Sequence, residues 1–245
     1  MAATSSTDSE LTVVLVHGAF ADASGWNGVI ERLRAKDIHV VAPANPLRGI
    51  SSDSAYTASV FGQIPGPVLA VGHSYGGAVI TNAATHADNV VGLVYVAAFA
   101  PNEGERLIDA EATSKDSVLN AALVPLQYPT GNGDESAVEF AINPLNFHDA
   151  FAADLPAEEA ADMAATQRPV AELAFSEPSG LPAWKNLPSW TVVATGDTAA
   201  GADVIRSMAE RAGAAITEVK GSHVIMMSQP QAVTDVIMTA IAAVS

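Results

Sequence analysis

The stretch Val68–Gly77, Val-Leu-Ala-Val-Gly-His-Ser-Tyr-Gly-Gly, decides how the rest of this chain is to be read. A short apolar run suited to a buried strand leads into Gly72-His73-Ser74-Tyr75-Gly76, a Gly-x-Ser-x-Gly pattern, and the helix-compatible run Ala78–Ala84 follows. A strand that reverses sharply into a helix forces its central residue into a strained conformation, and side chains on the flanking residues would clash. Glycine at 72 and 76 removes that clash and predicts a Ser74 hydroxyl standing clear above the sheet edge. The same glycines would serve a plain tight turn equally well, so the motif gains chemical meaning only if the chain also supplies partners for the serine.

Working outward, Leu11–His17 is β-branched and apolar on both faces, as a central parallel strand covered by helices on each side requires. Trp26–Lys36 spaces Trp26, Val29, Ile30 and Leu33 like one helix face, Ile38–Pro43 is the next strand, and Ser52–Ile64 opens with Ser and Asp suited to capping a second helix. Val90–Ala97 is the fourth strand. Strands and helices alternating through short connections predict a parallel sheet with right-handed crossovers. From Pro101 to Pro188 that rhythm fails. The segment is rich in proline, Gly131–Gly133 is loop-like, and the helical pieces are short: Glu105–Ala112, Leu145–Leu155 and Pro156–Gln167. We read residues 101–187 as a helical cap inserted into an α/β core formed by residues 11–100 and 188–245. The alternation resumes with strand Trp190–Thr195, helix Ala202–Ala212, strand Ile216–Val219 and the amphipathic helix Gln229–Ala243. The expectation is one three-layer α/β domain, its mostly parallel sheet holding about six strands.

Composition narrows the function classes. At 245 residues, one domain with an insertion is the default and a substantial core can be buried. The net charge of −16, with 11 Lys and Arg against 27 Asp and Glu, opposes binding to nucleic acid or to an anionic membrane. The most apolar run, Val90–Ala100, contains Gly92 and is too short to span a bilayer. Residues 1–10 are polar, lack the apolar core of a secretory signal and read as a disordered leader. The chain has no cysteine, hence no disulfide, no thiolate nucleophile and no Cys-ligated metal. These features fit a cytoplasmic protein.

A serine hydroxyl is a poor nucleophile until a base takes its proton, and a third group must hold that base in the right tautomer. On an α/β sheet the chain order is Ser, acid, His. Of the six histidines, His39 lies inside a strand, His86 at a helix end, His148 in the insertion, and His73 projects away from the serine it adjoins. His223, in the loop between the last strand and the last helix, is the candidate base. Asp197, in the loop after strand Trp190–Thr195, is the candidate acid, with Asp203 as the alternative. The backbone N–H of Tyr75 and that of Ala19, beside the permissive Gly18, are the candidate donors to an oxyanion. If the first and third strands are neighbours, the His17–Phe20 loop meets Ser74 where strand order reverses, and His17 serves to tie that loop.

Together these residues resemble the α/β-hydrolase superfamily, and within it the small cap-bearing branch of plant methyl-ester (salicylate-binding) esterases and hydroxynitrile lyases. The likeness rests on Val-His-Gly-Ala-Phe at the first loop, Gly-His-Ser-Tyr-Gly-Gly at the elbow, Val-Ala-Ala-Phe-Ala-Pro-Asn-Glu-Gly-Glu before the cap, and Gly-Ser-His-Val-Ile-Met-Met-Ser-Gln-Pro at the histidine. It implies the three-layer α/β-hydrolase fold, Ser74 as nucleophile, His223 as base, Asp197 as acid, Ala19 and Tyr75 as oxyanion hole, and no metal or organic cofactor. The similar lyases carry lysine after the catalytic histidine and threonine after the first strand's histidine. This chain has Val224 and Gly18 there, which favours an esterase. The proline that the resemblance implies after the acid is replaced by Thr198-Ala199-Ala200.

The leading expectation is a serine-dependent hydrolase of a small carboxylic ester, working through an acyl-enzyme. Alternatives are a lyase or cofactor-free oxygenase on the same fold, or a receptor-like binding protein with a relic triad. Phe20, Phe99, Tyr128, Phe147, Trp184 and Met226 are the substrate-binding candidates, each of them equally suited to plain packing. A homodimer pairing through the cap or the sheet edge is compatible with the sequence.

Overall fold

A computed structural model of the protein describes residues 10–245. Six parallel strands form the central sheet: β1 (Thr12–Val16), β2 (His39–Val41), β3 (Val68–His73), β4 (Val90–Val96), and, beyond the insertion, β8 (Ser189–Ala194) and β9 (Ala215–Val219). Their spatial order is β2-β1-β3-β4-β8-β9, with every neighbouring pair parallel. The first strand therefore pairs with the third, Val16 opposite Gly72, and strand order reverses between them. The central strands β1, β3, β4 and β8 are buried almost throughout, whereas β2 and β9, at the edges, are exposed or half-buried. That is the burial that near-continuous Val-Leu-Ile runs require in a sheet covered on both faces.

The covering helices of the core are α1 (Asn27–Arg34), α2 (Ile50–Gly62) and α3 (Tyr75–Ala83) in the first half and α9 (Ala202–Arg211), α10 (Ile225–Ser228) and α11 (Pro230–Val244) in the second. Helix α3 is buried along its whole length, so it sits under other elements rather than on the surface. Asp53 does not cap α2 from outside. It lies within the first turn, and its carboxylate accepts from the Arg48 and Gly49 amides.

Between β4 and β8 lie α4 (Leu107–Glu111), α5 (Leu119–Ala122), α6 (Pro144–Phe151), α7 (Ala157–Thr166) and α8 (Glu172–Ser176). The insertion, read from the sequence as helical, is not helical throughout. It also carries β5 (Leu123–Pro129), β6 (Ser136–Ile142) and β7 (Val170–Ala171), which form an antiparallel sheet in that order. Pro125 and Pro129 conceal β5 in the sequence, because proline cannot donate to a ladder. Here they are tolerated on the edge strand, where one side has no partner. Glu10, the one residue of the expected leader that is described, accepts a hydrogen bond from His39 Nε2 at 3.1 Å; residues 1–9 lie outside the described region. Among the described residues no helix is long and apolar enough to cross a membrane.

Candidate active site

Ser74 sits where β3 turns into α3, with φ 52° and ψ −124°, a conformation that β-carbon sterics disfavour. Main-chain bonds hold it there: its N–H donates to Val96 O at 3.3 Å, and its carbonyl accepts from Gly77 at 3.0 Å and Phe99 at 3.2 Å. Glycine is demanded at 76 by close approach, since a Cβ there would run into the Val16 carbonyl oxygen and come within 2.9 Å of His17 O. Gly18 is equally constrained, because a Cβ on it would lie 2.6 Å from the Ser74 Cβ. The first-strand loop thus rests directly on the elbow. Tyr75 is the first residue of α3, so its N–H has no intrahelical acceptor.

His223 and Asp197 meet as neighbours, at 2% and 1% exposure, with His223 Nδ1 donating to Asp197 Oδ2 at 2.8 Å. That bond leaves Nε2 of the neutral imidazole as the acceptor. The second Asp197 oxygen takes the amides of Ala199 at 2.9 Å and Ala200 at 3.1 Å, a local turn that presents the carboxylate without a following proline. Asp203 is engaged elsewhere, accepting from Ser114 Oγ at 2.6 Å and Lys115 N at 2.9 Å. Ser74 retains 6% exposure, and among the described residues its hydroxyl has no hydrogen-bond partner.

Two further histidines brace this arrangement. His17 Nδ1 donates to Gly18 O at 2.9 Å and its Nε2 accepts from Asn45 N at 2.9 Å, which fixes a neutral ring beneath the Ala19 loop. Burial holds its imidazole below the ordinary value. His73, read from sequence only as pointing away from the serine, donates from Nε2 to the carbonyl oxygen of His223 at 3.0 Å. Burial, reinforced by the neighbouring His223, keeps it well below the usual histidine value. Behind the elbow, the Tyr75 hydroxyl donates to the fully buried Asp53 at 2.8 Å. Burial pushes the Asp53 carboxyl up, against the opposing effect of the Tyr75 hydroxyl and the Arg48 and Gly49 amides. Nothing in the motif forecasts either partnership, although a buried Asp in the first turn of a helix is a signal for one.

Of the six substrate-binding candidates, Phe20 and Phe147 join a buried aromatic group with Phe151 and Phe175. Phe151 reaches the base itself, its ring centroid 5.0 Å from that of His223. Phe99 is buried, and its main chain holds the elbow. Met226 is buried beside Gly25, Tyr128 lies under the Arg48 guanidinium at 4.3 Å, and Trp184 donates from Nε1 to Pro101 O at 3.1 Å. None of the last three belongs to the aromatic group. Phe175, on the short α8, was missing from the sequence-based candidates. Among the described residues no cluster of three or more His, Cys, Asp or Glu is placed to hold a metal ion.

Comparison with solved structures finds the same overall architecture. Polyneuridine aldehyde esterase aligns with a TM-score of 0.78 at 19% identity, covering 94% of this chain and 99% of that one. Tomato methylketone synthase I complexed with 2-tridecanone gives 0.79 at 20%, covering 96% and 99%. A pyrethroid hydrolase from Sphingobium faniae JZ-2 gives 0.74 at 20%, covering 95% and 98%. Among curated proteins compared by sequence, none matches. The model of the alpha/beta hydrolase family matches residues 13–236, from β1 into α11, and so takes in the elbow, the insertion and the His223 loop together. The chain belongs to the alpha/beta hydrolase family.

Proposed function

We propose that the protein is a serine-dependent hydrolase of small carboxylic esters. The observation that carries this reading is the buried His223–Asp197 bond of 2.8 Å, formed at the same sheet edge as the strained Ser74 elbow. His223 Nε2 takes the Ser74 proton as the hydroxyl attacks the ester carbonyl. Asp197 stabilises the imidazolium and keeps Nδ1 protonated. The oxyanion of the tetrahedral intermediate is met by the Tyr75 amide and by the Ala19 amide beside Gly18. Collapse expels the alcohol, which takes its proton from His223. Water, activated by the same imidazole, then releases the acid from the acyl-enzyme. The aromatic rings of Phe20 and Phe151, the latter against His223, make an apolar acyl or alcohol part the expected one. Labelling by a fluorophosphonate that disappears in Ser74→Ala, together with loss of p-nitrophenyl acetate turnover, is the expected result. Unchanged turnover in Ser74→Ala overturns the reading.

A second reading is favoured by the unbonded Ser74 hydroxyl. His223 takes a proton directly from a bound substrate, as a lyase or cofactor-free oxygenase would require, while Ser74 only positions it. Carbon–carbon cleavage or oxygen uptake that survives in Ser74→Ala and is lost in His223→Ala identifies this case.

A further inference from the structure

The loop that carries His223 is held from several sides, and one of its holders comes from the cap. Within the core, Gly221 O accepts from Gly196 N at 2.9 Å, linking the base loop to the acid loop, and His73 holds the His223 carbonyl. The remaining holder is Asp154, in the turn Ala152–Leu155 that joins α6 to α7. Its Oδ2 accepts from the Ser222 amide at 2.9 Å, and its Oδ1 accepts from the Ser222 hydroxyl. The fit is tight, since a Cβ on Gly221 would lie 2.6 Å from Asp154 Oδ2. The same corner of the cap sets Phe151 against the His223 ring, and the Asp149 carbonyl on α6 accepts from Thr198 Oγ1 of the acid loop at 3.5 Å.

A turn aspartate usually bonds its own backbone two residues on. Asp154 also reaches with both oxygens to a residue 68 positions away, next to the candidate base. Partial burial works against its charge, and the Ser222 hydroxyl, the nearby Ser228 hydroxyl, the Ser222 amide and its own backbone N–H together outweigh that, holding the carboxyl below its ordinary value. It is therefore ionised at neutral pH, and charge-assisted bonds of this kind are the stronger ones.

We propose that Asp154 is a positioning residue for His223: it latches the α6–α7 corner of the cap to the base loop and so fixes where the imidazole stands at the Ser74 edge of the sheet. The consequence for catalysis rests on the esterase reading above, whereas the latch itself does not. The test uses the full chain with Asp154→Ala, Asp154→Asn and Ser222→Ala. Hydrogen exchange is read first: Asp154→Ala is expected to lose protection at the Ser222 amide, whatever reaction the protein catalyses. With p-nitrophenyl acetate, kcat is expected to fall about ten- to a hundredfold while KM stays within about twofold, as misalignment of a reacting group costs. Asp154→Asn keeps an acceptor for the amide and a donor for the hydroxyl, so it should recover most of that loss. If Asp154→Ala does not fold, Ser222→Ala, which removes only the hydroxyl bond, is expected to show a smaller fall in kcat alone. Unchanged exchange at Ser222, or a rise in KM with kcat intact, overturns the latch. Faster exchange in a protein whose wild type turns over no ester upholds the latch and sinks the esterase reading instead.

Discussion

His73 Nε2 donates to the carbonyl oxygen of His223 at 3.0 Å, so the residue before the candidate nucleophile holds the backbone of the candidate base. The bond defines the tautomer of His73, because a carbonyl can only accept. Its Nδ1 is left as a buried atom without a partner among the described residues. His73→Ala would leave the His223 carbonyl unsatisfied and open a cavity, so stability should fall by about 2–4 kcal/mol in urea denaturation. The kcat for a small ester should fall with it, by about tenfold, as the base loses its anchor. Retention of both stability and kcat would show that the bond is dispensable.

Two of the buried histidines, His17 and His73, set an acid limit to stability. His17 and His73 are both held below the ordinary value of 6.5 in the fold, whereas in the unfolded chain they take up protons near it. Below about pH 6.5 the unfolded state therefore binds more protons, and stability declines by up to about 1.4 kcal/mol per pH unit for each histidine. Asp53 and Glu111, whose carboxyls burial raises from 3.8 and 4.5, act with the opposite sign: their contribution is full at lower pH and is lost as pH rises through their folded values. The urea midpoint should be flat between pH 8 and 7 and drop between 6.5 and 5. A midpoint constant down to pH 5 would contradict the neutral assignment of both rings.

Asp197→Asn probes the tautomer directly. The amide oxygen can still accept from Ala199 and Ala200, while the amide NH2 faces His223 Nδ1 and forces the proton to Nε2, where it cannot accept from serine. A fall of about 10⁴ in kcat with little change in melting temperature is expected. Steady-state ester kinetics beside a thermal melt measures it.

The Tyr75–Asp53 pair lends itself to a double-mutant cycle. Tyr75→Phe removes a buried bond of 2.8 Å to a carboxylate, and the loss should be about 1.5–3 kcal/mol. Combined with Asp53→Ala, the two losses should fall short of adding, because both break one interaction. Strict additivity in urea denaturation would mean that the hydroxyl and the carboxylate act independently.

The core was legible in the sequence because its signals are local: apolar runs between short connections specify parallel strands whatever surrounds them. That Asp197 and His223 would meet was legible for a related reason, since a loop at a strand's carboxyl end has only one edge of the sheet to sit on. Tertiary pairing hid the rest. Pro125 and Pro129 disguised β5, although Val138, Phe140 and Ile142 alternate on β6 as a strand should. The carboxylate of Asp154 and the ring of Phe175 act on partners far away in sequence, and no spacing rule points there. Trp184 and Tyr128 were singled out as aromatic, but their neighbours Pro101 and Arg48 decide what those rings do.

The stitching between insertion and core has a further consequence. Ala171 on β7 donates its amide to Leu47 O at 2.9 Å, Arg48 reaches Glu139 on β6 at 2.7 Å, and Phe20 of the first-strand loop packs on Phe151 and Phe175 of the insertion. The boundary at residues 101 and 187 is thus a boundary in the chain but not in the packing. Excising the insertion as a cassette would strip main-chain partners and bare aromatic surface on what remained. Swapping it for that of a relative would transplant half of a wall whose other half stays behind. A change on one side of the seam therefore calls for a matching change on the other.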